Sequence, residues 1–61
     1  MNYKIVAINK ESLGRAIHDL EYEVNKLLKD GWKLKGDIVI SREKTTEYGY
    51  DIIVAQAMIK E

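Results

Sequence analysis

A single α+β domain of β-α-β-β order is what this chain predicts, and three observations carry the prediction. The spacing of apolar residues changes from about two to about 3.6 and back to two along the 61 residues. The point of the second change is marked by Asp30-Gly31-Trp32, a combination that stops a helix. The final segment is apolar at consecutive positions for longer than an edge strand tolerates.

The elements follow in order. Tyr3-Lys4-Ile5-Val6-Ala7-Ile8 is short, β-branched and bounded by Asn9, the pattern of a strand. Leu13, Ala16, Ile17, Leu20, Val24, Leu27 and Leu28 then recur at steps of three and four. On a helical wheel they fall within roughly 60° of one direction, so this is an amphipathic helix with one buried stripe. Ser12 is placed to cap it, with Asn9 as the competing cap, and Gly14 weakens the first turn. At the other end Lys26 and Lys29 suit the negative end of the helix dipole. Gly31 suits the left-handed closing residue, and Trp32 is placed to fold back over Leu27.

From Trp32 the period is two. Trp32, Leu34, Gly36, Ile38 and Ile40 share one face of a second strand, and Lys33, Lys35, Asp37 and Val39 the other. The polar stretch Arg42-Glu43-Lys44-Thr45-Thr46-Glu47 is expected to hold the hairpin turn, and Asp51 to Lys60 to form the last strand. Placing that most hydrophobic strand in the middle gives a three-stranded antiparallel sheet of order 1-3-2, with the mixed 1-2-3 sheet as the alternative.

One helix covers one face of such a sheet. Yet Ile53, Ala55, Ala57 and Ile59 alternate with Ile52, Val54, Gln56 and Met58, so both faces of the last strand are largely apolar. The small pair Ala55 and Ala57 suits close approach of the helix. That leaves Val6, Ile8, Val39, Ile52, Val54, Gln56 and Met58 as the expected interface of a homo-oligomer, a dimer first. Size points the same way, because a domain of this length buries only about 60% of its unfolded surface. Gln56 in the run is expected either to pair with its own copy across a symmetric interface or to line a small ligand site between subunits.

Composition removes whole classes of function. Ten basic residues balance ten acidic ones, so no global field draws the chain to nucleic acid or anionic lipid. Basic Lys26, Lys29, Lys33 and Lys35 cluster, but Glu21, Glu23, Asp30 and Asp37 interrupt them, which disfavours direct nucleic-acid binding. No cysteine is present, hence no disulfide framework and no thiolate metal site. No apolar run approaches the roughly 20 residues that span a bilayer, and the N-terminus lacks a signal-peptide pattern.

Catalytic constellations are equally thin. The single histidine, His18, falls on the polar side of the helix, and neither Ser12 nor Ser41 is spaced to make a nucleophile with it. His18 with Glu21 would supply two metal ligands where a site needs three or four. The four glycines form no phosphate loop, and Asp19 and Glu23 are read as a solvated face. The expectation is a protein that is not an enzyme and carries no metal or cofactor.

Two features ask for a partner. Tyr22 projects opposite the apolar stripe, among Arg15, His18, Lys26 and Lys29, and tyrosine beside arginine is the composition of interface anchors. These five residues form the expected partner-binding face. Tyr48 and Tyr50 flank Gly49 at the hairpin, where they would pack across strands or reach a partner.

The opening Tyr3-Lys4-Ile5-Val6, the Asp30-Gly31-Trp32 stop with Gly36 after it, and the closing Gln56-Ala57-Met58 form an ordered set. With it the chain resembles short domains of unknown function carried by bacteria and phages. That resemblance implies a stand-alone β-α-β-β protein in the cytoplasm of a bacterial cell, with no established activity or cofactor. In size and type the chain is similar to the very small homodimeric phage inhibitors of bacterial anti-phage systems. The function this implies is stoichiometric inhibition of a host protein. A second expectation is sequestration of a small nucleotide-like ligand between subunits, near Gln56, Tyr48 and Tyr50.

Overall fold

The computed structural model describes residues 1–44 and 49–61. Four elements follow one another: β1 (Asn2–Lys10), α1 (Leu13–Lys29), β2 (Lys33–Lys44) and β3 (Tyr50–Lys60). The three strands form one antiparallel sheet in the order β1-β3-β2. This is the α+β arrangement expected from the sequence, and the mixed sheet is ruled out. The most apolar strand takes the centre because only there are both of its backbone edges paired.

The helix stop is built as the residues dictate. Gly31 has φ +93°, and its N–H donates to the Leu28 carbonyl at 3.2 Å. The Trp32 N–H donates to the Leu27 carbonyl at 3.0 Å, which completes a Schellman closure of the last turn. Trp32 and Leu27, both half-buried, then pack against the core. A link from Lys60 Nζ to Asp30 Oδ2 at 3.4 Å ties the end of β3 to the same corner. The helix start is looser. Ser12 stands at the cap with extended backbone and its carbonyl accepts the Ala16 N–H at 3.0 Å, but its hydroxyl makes no capping bond.

The core consists of Val6, Ala16, Leu20, Val54 and Met58, with Ile8, Ile17, Val24, Leu27, Trp32 and Ile52 packed around it. Ala16 is fully buried and is the helix residue that allows close approach to the sheet. Val54 and Met58 are likewise fully buried beneath it. The helix therefore covers the face of Val6, Ile8, Ile52, Val54 and Met58, the reverse of the expected assignment.

Lengths explain what the helix leaves uncovered. A 17-residue helix is about 25 Å long, whereas a 12-residue strand runs to roughly 40 Å. The β2–β3 hairpin outruns the helix, and the molecule measures 43 × 17 × 14 Å. The second strand continues through Arg42, Glu43 and Lys44, which were expected in the turn. Every residue of β2 is exposed, because α1 lies over β1 and β3.

Candidate functional site

Arg15, His18, Tyr22, Lys26 and Lys29 are all exposed and share one stripe of α1, opposite the core. The steps of three, four, four and three residues keep them within roughly 80° of the helix circumference. Lys26 Nζ sits over the Tyr22 ring, 5.3 Å from its centroid, and reaches Glu23 Oε2 at 3.5 Å. The tyrosine is thus braced by a cation while 62% of it stays accessible. His18 Nδ1 lies 3.5 Å from Asp19 Oδ1, and Lys10 Nζ lies 3.3 Å from Asp19 Oδ2. The hydrogen bond from Lys10, then that from His18, hold the Asp19 carboxyl below its ordinary pKa. This link from the end of β1 to the helix was not anticipated, since residues nine apart carry no periodic signal of contact. Arg15 also borders an open depression of about 1030 Å³ with Lys10, Glu11 and Asp51, whose charges are mixed in sign.

The expected oligomer interface needs correction. Val6, Ile8, Ile52, Val54, Gln56 and Met58 lie on the helix side of the sheet, and four of them are buried there. Val39 alone of the seven lies on the open side, paired across the strands with Ala55. The open face instead has an apolar centre of Tyr3, Ile5, Ala7, Val39, Ala55 and Ala57, with Ile53 and Ile59 continuing the row along β3 and Lys33, Lys35, Ser41, Glu43 and Asp51 toward its ends. Tyr3 is 62%, Ile5 59% and Val39 61% accessible. The physical reason is volume. A helix rides roughly 10 Å above a sheet, and bulky side chains fill that gap where alanines would leave it empty.

Gln56 has a task within the chain that its anomaly in the sequence did not reveal. Between Lys35↔Ala57 and Val39↔Ala55 the pairing of β2 with β3 slips, so that three residues of β2 stand opposite Gln56. Gly36 takes φ +76° within this bulge. Its carbonyl and that of Lys35 accept from Gln56 Nε2 at 3.1 and 3.4 Å, and the Ala57 carbonyl accepts at 3.0 Å. Three carbonyls surround one amide nitrogen, so the buried side chain replaces the ladder bonds that the bulge removes. Its amide nitrogen is thus committed within its own chain, on the helix side of the sheet.

Tyr50 stacks across the hairpin, with the Arg42 guanidinium 4.9 Å from its ring centroid. Tyr48 lies outside the described residues. On the helix side of β2, Leu34 and Ile40 stay about half accessible because α1 does not reach them.

Fold and surfaces together define a one-helix α+β domain whose outward features, among the described residues, are a sheet face with an apolar centre and charged ends and a basic, tyrosine-centred helix stripe. Compared with protein-family models, with curated proteins and with solved structures, the chain matches none. No helix among the described residues is long and apolar enough to cross a membrane.

Proposed function

We propose that this chain is a non-enzymatic binding protein that works as a homodimer and acts by stoichiometric capture of a protein partner. The observation that carries the reading is the open sheet face, where Tyr3, Ile5 and Val39 are left in water around Ala7, Ala55 and Ala57, with charged residues toward either end. The accessible surface of the chain is 4732 Å², against about 4,100 Å² for a compact monomer of this mass. The excess is comparable with the roughly 800 Å² that each partner contributes to a stable interface. In such a dimer the helix stripe with Arg15, His18, Tyr22, Lys26 and Lys29 faces outward on both subunits and is free for a partner. Inhibition of a host protein by a phage-type factor is the form this activity takes, supported by the small size and by the motif resemblance noted above.

Sedimentation at micromolar concentration tests the first half: a dimer is expected, and a stable monomer overturns it. Affinity capture from bacterial lysate, with wild type beside a Tyr22→Ala, Arg15→Glu variant, tests the second. An identified partner that saturates at one per subunit and is lost with the variant supports the helix stripe; capture unchanged by the variant removes it.

A further inference from the structure

We infer that two copies join through their open sheet faces in antiparallel fashion, about a two-fold axis that runs across the strands at the Ala7–Ala55–Val39 row. This rests on the dimer proposed above and goes further by fixing which residues meet.

Cross-strand pairing sorts the open face into rows. The middle row is Ala7, Ala55 and Val39. Two rows toward one end stand Ile59 and Lys33, with Lys35 on the row between. Two rows toward the other end stand Asp51 and Glu43, with Ser41 and Ile53 between. Apart from Asp37 within the bulge, one end of the face is therefore basic and the other acidic, at equal distances from the middle when measured along β3. Among the described residues, none of Lys33, Lys35, Glu43 and Asp51 has an ion-pair partner in its own chain.

Only one relation between two such faces satisfies both ends. A two-fold axis along the strands lays the basic end of one copy against the same end of the next. An axis across the strands, through the middle row, lays Lys33 of one copy over Glu43 of the other, twice. The same operation sets Ala55 against Ala55, and small side chains on the axis let the sheets approach closely. A second copy is favoured over an unrelated protein because the pattern is self-complementary and the formal net charge of zero sets up no repulsion between copies.

Charge reversal tests the geometry. Each of Lys33→Glu and Glu43→Lys turns two attractive contacts into repulsive ones, so each is expected to weaken the dimer about tenfold. The double variant Lys33→Glu, Glu43→Lys restores affinity to within about threefold of wild type. A dimer whose affinity is unmoved or raised by the single reversals overturns this arrangement while leaving dimerisation intact. A wild type that stays monomeric overturns both.

Spin labels give an independent readout, because the chain has no cysteine of its own. Labels at Val39→Cys are expected at the shortest separation, while labels at Lys33→Cys are expected roughly 25–30 Å apart, twice the four-residue distance along β3 from Ala55 to Ile59, the partner of Lys33. Equal separations at the two positions refute the cross-strand axis.

Discussion

Replacing Gln56 by leucine tests how the β2 bulge is held. Leucine keeps most of the volume beneath the helix and removes the donor. Two well-formed bonds, at 3.0 and 3.1 Å, and one long one at 3.4 Å are lost together. At about 1 kcal/mol net for each good bond, the loss is about 2 kcal/mol, before any cost of leaving the Gly36 carbonyl without a partner. A domain of this length has a total stability of roughly 3–9 kcal/mol, so the change is a large part of it. The midpoint of thermal unfolding should fall by about 8–16 °C, measured by circular dichroism at a fixed chain concentration so that the proposed self-association does not shift the comparison. Gln56→Glu sharpens the case. A carboxylate aimed at three carbonyls is repelled by all of them, so its neutral form is favoured in the fold. Its penalty is small below about pH 4 and grows as pH rises through the carboxylate range. If Gln56→Leu stays within about 0.5 kcal/mol of wild type, water satisfies the bulge carbonyls and the assigned role of Gln56 is wrong.

Other expectations are local. Gly14→Ala should stabilise by about 0.5–1 kcal/mol in urea unfolding, since an added Cβ meets nothing closer than Ser12 Oγ at 3.8 Å and the backbone needs no glycine there. Gly31→Ala should cost about 1–2 kcal/mol in the same assay, because φ +93° strains any residue with a Cβ whatever the space around it. Asp19 should titrate below the ordinary aspartate range when its carboxyl is followed by NMR, and Lys10→Ala should bring the midpoint upward. The stabilising link it makes is present above the unfolded-state pKa and fades as pH falls through the depressed folded one.

Local signals were legible wherever one residue type answers one backbone need. The Gly31-Trp32 stop, the amphipathic stripe of α1 and the central place of β3 all belong to that class, and each is found as expected. The bulge was not legible in the same way. Gly36 sits in a run that alternates correctly on either side of it, and an insertion of two residues preserves that alternation. Gln56 was visible as an anomaly, but its reason lies in the unpaired carbonyls of Lys35 and Gly36, which only the pairing register reveals. The helix stripe with Tyr22 was legible because every residue in it belongs to one helix with one period.

The reversed sheet face follows from an ambiguity that alternation alone cannot remove. Period two divides β3 into Ile52, Val54, Gln56 and Met58 on one side and Ile53, Ala55, Ala57 and Ile59 on the other, but it does not say which side meets the helix. Volume decides. The helix brings its own small residue, Ala16, to the closest point, so the sheet beneath must supply bulk, and Val54 with Met58 does so. A sheet that put Ala55 and Ala57 under Ala16 would leave a void along the whole contact, at a cost that grows with its volume. The alanines are thereby left outside, flanked by Tyr3, Ile5 and Val39. Small residues in the centre of an exposed apolar face are poor cover for a helix but good for a second sheet, whose own side chains stand between the rows. That is the packing the proposed dimer requires: a flat sheet of the same pattern set against the open face, as a second copy of this chain would supply.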